Sequence, residues 1–291
     1  LKIDLNFNGH STPFKQDLSG FYSDSCCQSH TLPDLINNDE LTERLLNAAL
    51  QIWKNKELPI GSIDKEVTRA YATQLIKAIE EGYGKSLSDV DFDSTDYKIL
   101  EGLQQQTWQF SAAKNYHQLR ALGAALLDDN GKIRSKQEFL KEAQKINDII
   151  SKNHLTTEYN LAVQGSIQNA KWKDLQETKH LFPFIRFDSV IDENSSEICP
   201  PLDGVVLHID DPRVDEYMPP RHFGCRSTWD KQAYGSSEHV ELPQIDISSM
   251  FKVNLGKRGL AFPPDHPYFI DLPEEVSESA NKLKEQKNSE Q

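Results

Sequence analysis

No apolar run in this 291-residue sequence approaches the ~20 residues that a membrane-spanning helix needs, which argues against a membrane protein. Cysteine is also scarce: Cys26, Cys27, Cys199 and Cys225 are the whole complement. Four in a chain of this length exclude a disulfide framework, and in a reducing compartment all four are thiols or metal ligands. Long basic runs are missing, and the net charge is −13. Affinity for nucleic acid rests on clustered Lys and Arg set against phosphates. A broad nucleic-acid-binding surface is therefore disfavoured, and only a local patch of Arg186, Arg213, Arg221 and Arg226 remains for weak contact. Gly82-Tyr83-Gly84-Lys85-Ser86 lacks the upstream Gly and the apolar strand of a phosphate-cradling loop. The opening LKIDLNFNGHSTPF has neither a basic region nor an apolar core to act as a secretory leader. It also lacks an initiator Met, so the expectation is a fragment, a processed product or an alternative start. What remains is a polar chain, 37% hydrophobic with mean hydropathy −0.62, still able to pack a core.

The sequence divides into four stretches. Residues 1–33 read as an N-terminal arm without sustained periodicity, and within it Cys26-Cys27-Gln28-Ser29-His30 reads as a surface loop with reduced thiols. Residues 34–152 read as a helical domain. Leu41, Leu45, Leu46, Ala49, Ile52 and Trp53 recur at helical spacing. Ser62 can cap a second helix bearing Val67, Tyr71, Leu75 and Ile79, with Gly82 and Gly84 as its stop. The acidic run Asp91–Asp96 lacks the central Gly and terminal Glu of a calcium loop, so Ser94 or Thr95 is taken as a helix cap. Two further helices then carry Tyr97 to Trp108 and Phe110 to Leu122. After the Asp128-Asp129-Asn130-Gly131 turn, Ser135 and Glu138 form a capping box.

Residues 153–232 form the third stretch. Its helix, Tyr159 to Thr178, interleaves Ala162, Gly165, Ser166 and Ala170 with Gln164, Gln168 and Asn169. Small residues allow close backbone approach and amides satisfy buried polar groups, so this helix is expected to cradle the loop that follows. Pro183 ends the helical region, and Phe184–Phe187 and Val205–Ile209 have strand character. Residues 233–291 read as an extended C-terminal segment and polar tail, with Glu274–Gln291 a weak helix or a disordered end. The fold class expected is α+β, mainly helical at first, then a small loop-rich α+β core with short strands.

Chemistry concentrates between Cys199 and Trp229. His222-x-x-Cys225 has the spacing of a ligand pair on a tight knuckle, and Cys199 is a candidate third ligand for a structural zinc. No other cofactor is expected. The bland reading buries Cys199 and Cys225 as thiols and bonds His222 to the backbone. A catalytic reading would use Cys199 as nucleophile with His208 or His222 as base and Asp203 as orienter, without any oxyanion-hole signature. Asp210, Asp211, Glu158 and His208 could instead bind magnesium as in a nuclease.

Leu202-Asp203-Gly204, then Pro219-Pro220, then Gly224-Cys225-Arg226 resembles the signature of the Mu F-like minor head proteins of tailed phages. Phe182–Phe187 resembles the family's proline-aromatic lead into its core strand. Trp108–Lys114, Phe251–Asn254 and His266–Phe269 are similar to its upstream and tail phrases, so the likeness runs over roughly residues 75–270. A subset of the family has Cys-x-x-Cys before Leu-Asp-Gly, where Ser196 here stands in place of the first cysteine, and the family's final cysteine after Arg226 is Ser227. Both departures count against a full zinc site. The resemblance implies a structural minor head protein at or near the portal vertex, not an enzyme. It implies the portal protein and other head proteins as partners, with packaged double-stranded DNA at most a weak one. The implied location is the virion or procapsid, and the host cytoplasm during assembly. Leu202, Gly204, Pro220 and Cys225 are expected to pack on the Tyr159–Trp172 helix, with Asp203 bonding backbone amides as a turn-former. Arg226 is expected to face inward and pair with Glu158, Asp188 or Asp203.

Overall fold

A computed structural model of the protein describes residues 38–289 apart from 57, 59 and 60; the expected arm, with Cys26, Cys27 and His30, lies outside the described residues. Helix α1 (Asn38–Asn55) and α2 (Lys65–Tyr83) follow the apolar periodicity of the sequence. Asp64, not Ser62, caps α2, accepting from the backbone N–H groups of Glu66 and Val67 at 3.0 Å each. Gly84 ends the helix in the left-handed region, φ +78°. Helix α3 (Thr95–Ala124) is one continuous rod of 30 residues where two helices were expected. The sequence puts no Pro between Trp108 and Phe110, and hydrogen bonding simply runs on. Ser94 caps it by accepting from Tyr97 N–H at 3.0 Å, as the acidic turn suggested.

Ser135 and Glu138 form the expected capping box of α4 (Lys136–Asp148). No loop separates α4 from α5 (Leu155–Thr178); a π-helical stretch, Ile149–His154, joins them. Neither Pro nor Gly lies between Asp148 and Leu155, so the backbone widens locally instead of breaking.

Helix α5 is the hub, and its small face works by contact distance. A Cβ on Gly165 would stand 2.2 Å from the Ala261 carbonyl oxygen, and one on Gly82 of α2 would stand 2.2 Å from that of Val163. The amides do what was expected of them, though for different neighbours. Asn169 donates to Leu260 O at 2.9 Å, and Gln168 accepts from the Trp229 indole at 2.7 Å. The helix therefore cradles the segment around residues 255–262, including the short helix α7 (Leu255–Arg258), and not chiefly the cysteine-bearing loop.

Three antiparallel strands lie in the order β2-β1-β3: β1 (Phe184–Asp188), β2 (Val206–His208) and β3 (Thr228–Gln232). Ile185 pairs with Leu207 on one side and Lys231 on the other, and Phe187 pairs with Trp229. A one-turn helix, α6 (Val214–Tyr217), closes the return from β2. Inward-facing Ile185, Phe187, Leu207 and Trp229 join Leu175, Leu202 and Met218 in a small core between the sheet and the end of α5.

The larger core is shared by distant parts of the chain. Leu45, Tyr71, Leu75, Ile79, Phe110, Leu155 and Tyr159 meet Phe223, Phe251, Phe262 and Tyr268. The last stretch is not a loose tail. Glu274–Ser289 is helix α8, which buries Val276, Ala280 and Leu283 against α2 and α3, with Lys284 paired to Glu101. Among the described residues, no helix is long and apolar enough to cross a membrane.

Candidate metal centre and loop core

A 3-10 turn, Pro200–Leu202, follows Cys199 and returns the chain toward β2. The Pro219-Pro220 step, with a cis peptide bond, delivers Arg221, His222 and Cys225 beneath that turn. The result gathers Cys199, His222 and Cys225, all buried, with one possible ligand atom from each within 4.8 Å of the others. Cys199 Sγ lies 3.5 Å from His222 Nε2 and 3.7 Å from Cys225 Sγ. His222 Nδ1 donates to the Phe223 carbonyl at 2.8 Å. That bond fixes the tautomer and leaves the Nε2 lone pair pointing at the thiols, the arrangement seen when an imidazole is held as a ligand.

Two serines, Ser196 and Ser227, lie at the same cluster. Ser196 Oγ is 2.9 Å from His222 Nε2. Ser227 is buried and hydrogen-bonded to Cys199. The donor set thus fits zinc through three ligands, two sulfurs and one nitrogen, while the fourth neighbour is a neutral hydroxyl. The shared hydrogen bond with Cys225, followed by burial, pushes the Cys199 thiol up. The same bond holds Cys225 down, with burial opposing it and the hydrogen bond with His222 adding to it. Arg221 is buried beside them, its guanidinium over the Tyr217 ring and its Nη1 donating to Glu216 O at 3.2 Å. Its Nε has no hydrogen-bond partner. It supplies positive charge to a cluster that is otherwise neutral or anionic.

The rest of the signature is structural. Leu202 is buried in the small core, and Pro219, Pro220 and Cys225 are buried as well. Gly204 is exposed rather than packed on α5, because the turn carries it to the sheet edge; its φ of +74° is the one the turn was expected to need. Asp203 does act on a backbone amide, though across the loop: its Oδ1 accepts from Ser189 N–H at 3.0 Å. Arg226 forms a two-pronged pair with Asp192, at 2.6 and 2.8 Å, and with none of the three carboxylates expected. Glu158 is unavailable because it is buried against Lys114 at 2.6 Å. Asp188 ends β1, and Asp203 is taken by Ser189.

A catalytic triad does not assemble. Cys199 and His222 touch, but the imidazole Nδ1 is bonded to Phe223 O and not to Asp203. His208 lies on β2 beside Asp210 at 3.9 Å. The magnesium reading fails too, since Asp211 is neutralised by Arg213 at 2.6 Å and Glu158 by Lys114. Strand β3 escaped the sequence reading; its Trp229 was the available signal, masked by the charged Asp230 and Lys231 beside it.

The described residues thus form a helical body with a small antiparallel sheet, and a buried cluster of two thiols and an imidazole lies in the loop core. Residues 130–229 match the model of the family described as Phage Mu protein F like protein. The match runs from the Asn130-Gly131 turn through α4, α5 and the loop core to Trp229 of β3, leaving α1–α3 and the C-terminal segment outside. No curated protein and no solved structure matches the chain.

Proposed function

We propose that the protein is a minor head component that sits at or near the portal vertex during procapsid assembly, with the portal protein and other head proteins as partners. The family match over residues 130–229 carries this reading. The absence of an assembled triad supports a structural role over hydrolysis by Cys199 and His222. Contact with packaged DNA is at most local, given the net charge of −13. Copurification of the protein with portal from procapsids is the test. Its absence from portal-containing procapsids would count against the proposal, as would turnover of DNA, RNA or peptide lost in Cys199→Ala.

Within that scaffold Cys199, His222 and Cys225 are proposed as the ligands of a structural zinc. The tautomer of His222 that carries its proton on Nδ1 and the closeness of both sulfurs support this. Bound zinc would bridge the Cys199 turn to the Pro219–Cys225 segment and contribute folding energy there. Elemental analysis of protein purified without chelator reads it, and a metal content well below one per chain would overturn it.

A further inference from the structure

Cys199 and Cys225 are separated by 26 positions in sequence, yet their sulfurs are 3.7 Å apart and both are free thiols. Between them run β2, α6 and the Pro219-Pro220 step. A disulfide bond is ~2.05 Å long, so closing the pair moves each sulfur by roughly 0.8 Å. No other described cysteine competes for either sulfur.

We infer that Cys199 and Cys225 form a redox pair that closes to a disulfide when the protein meets a small peroxide, locking the loop core. Two steps balance the chemistry. One thiol sulfur attacks hydrogen peroxide: its S–O bond forms as the O–O bond breaks, giving a sulfenic acid and one water. The second sulfur then attacks the first: the S–S bond forms, the S–O bond breaks, and the oxygen leaves as a second water. Both sulfurs are oxidised and the peroxide is reduced. His222 Nε2, 3.5 Å from Cys199 Sγ, is within reach to take a thiol proton and return it to the departing oxygen.

The disulfide and the zinc site use the same sulfurs, so they are alternative states of one cluster. Metal-bound thiolates are held reduced, and the metal-free pair is open to oxidation. Coupled to the head-protein reading, the pair stays reduced in the cytoplasm where particles assemble and closes after release into oxidising surroundings. The lock would then strengthen a finished particle without hindering assembly.

The test uses full-length protein carrying Cys26→Ser and Cys27→Ser, treated with chelator and then with hydrogen peroxide. Expected are one non-reduced peptide linking Cys199 to Cys225, a mass lower by two hydrogen atoms, and a raised melting temperature. Dithiothreitol should reverse all three, and Cys225→Ser should abolish them. Thiols that remain free overturn the inference, as does oxidation of each to an unlinked sulfinic acid. A linked peptide with no rise in melting temperature overturns the locking role. Zinc content of untreated protein is read separately, so the metal reading and the redox reading can fail independently.

Discussion

Gly204 and Asp203 serve the same turn by different physics. Gly204 sits at φ +74°, and a Cβ built on it meets nothing within 4 Å. Replacement there is opposed by backbone strain alone, which amounts to about 1–2 kcal/mol for an L side chain. Gly204→Val adds β-branching and should fall at or above that range. Asp203→Asn keeps an oxygen to accept the Ser189 N–H and, at an exposed site, should change stability by about 0.5 kcal/mol or less. Urea midpoints of the two variants check this, and equal tolerance would contradict it. Arg226 and Asp192 give a pH signature instead. Arg226 is the largest influence holding the Asp192 carboxyl down, to about 2, against about 3.9 in an unfolded chain. A depressed carboxyl stabilises the fold above its unfolded value and loses that contribution as pH falls through its folded value. Stability curves of wild type and Arg226→Ala should therefore be separated above about pH 4 and converge toward pH 2. A constant separation across that window would show that the ion pair is not the cause.

At the scale of elements, contact between α5 and its neighbours is set by glycine. The Gly165 position leaves 2.2 Å between a would-be Cβ and the Ala261 carbonyl oxygen, a backbone atom that cannot rotate aside. Gly165→Ala gains helix propensity, worth up to about 1 kcal/mol, and loses more to displacement of the 255–262 segment. Overpacking of this kind typically costs about 1–3 kcal/mol, so a net loss is expected, with the Asn169–Leu260 hydrogen bond broken. A stabilised Gly165→Ala protein would mean that the segment moves freely. The small residues of α5 were legible in the sequence as a contact face, while the identity of the contacting segment was not. Periodicity reports which side of a helix is special, and the partner is chosen by tertiary geometry. The same division explains the helix ends. Caps at Ser94 and Ser135 follow from local hydrogen bonding and were legible. The unbroken α3 and the π-helical junction from α4 to α5 were not, because they depend on what fails to interrupt the chain. In the loop core, His222 and Cys225 could be paired from their spacing, and Cys199 joined to them through the turn at Leu202-Asp203-Gly204. Asp192, the partner of Arg226, lies on an acidic loop that no spacing rule singles out.

Across the whole molecule, the helical body and the C-terminal segment are joined through a buried polar centre. Lys114 and Glu158, both fully buried, pair at 2.6 Å. The Tyr71 and Tyr268 rings lie against the Lys114 ammonium, at 5.0 and 5.8 Å. Three histidines surround this centre: His117 bonds to Tyr268 O at 3.1 Å, His154 meets the Tyr268 hydroxyl at 3.2 Å, and His266 Nδ1 accepts from Tyr268 N–H at 3.2 Å. Burial is the leading cause that pushes all three down, to about 4 for His117 and about 3 for His154 and His266; Lys114 adds repulsion at the last two. Arg120 lowers His117 further, and Asp271 opposes it. In the unfolded chain each would titrate near 6.5. The unfolded state therefore binds more protons between those values, and stability is full above about pH 6.5 and declines as pH falls below it. With three such groups the decline is steep. The melting temperature should fall markedly from pH 7 to pH 5, before the carboxylates titrate. His154→Asn, which keeps a polar side chain but cannot gain a proton, should be less stable at pH 7 yet show a shallower fall. Thermal unfolding of both proteins across that range decides the matter, and parallel curves would remove the histidine centre as the source of acid sensitivity.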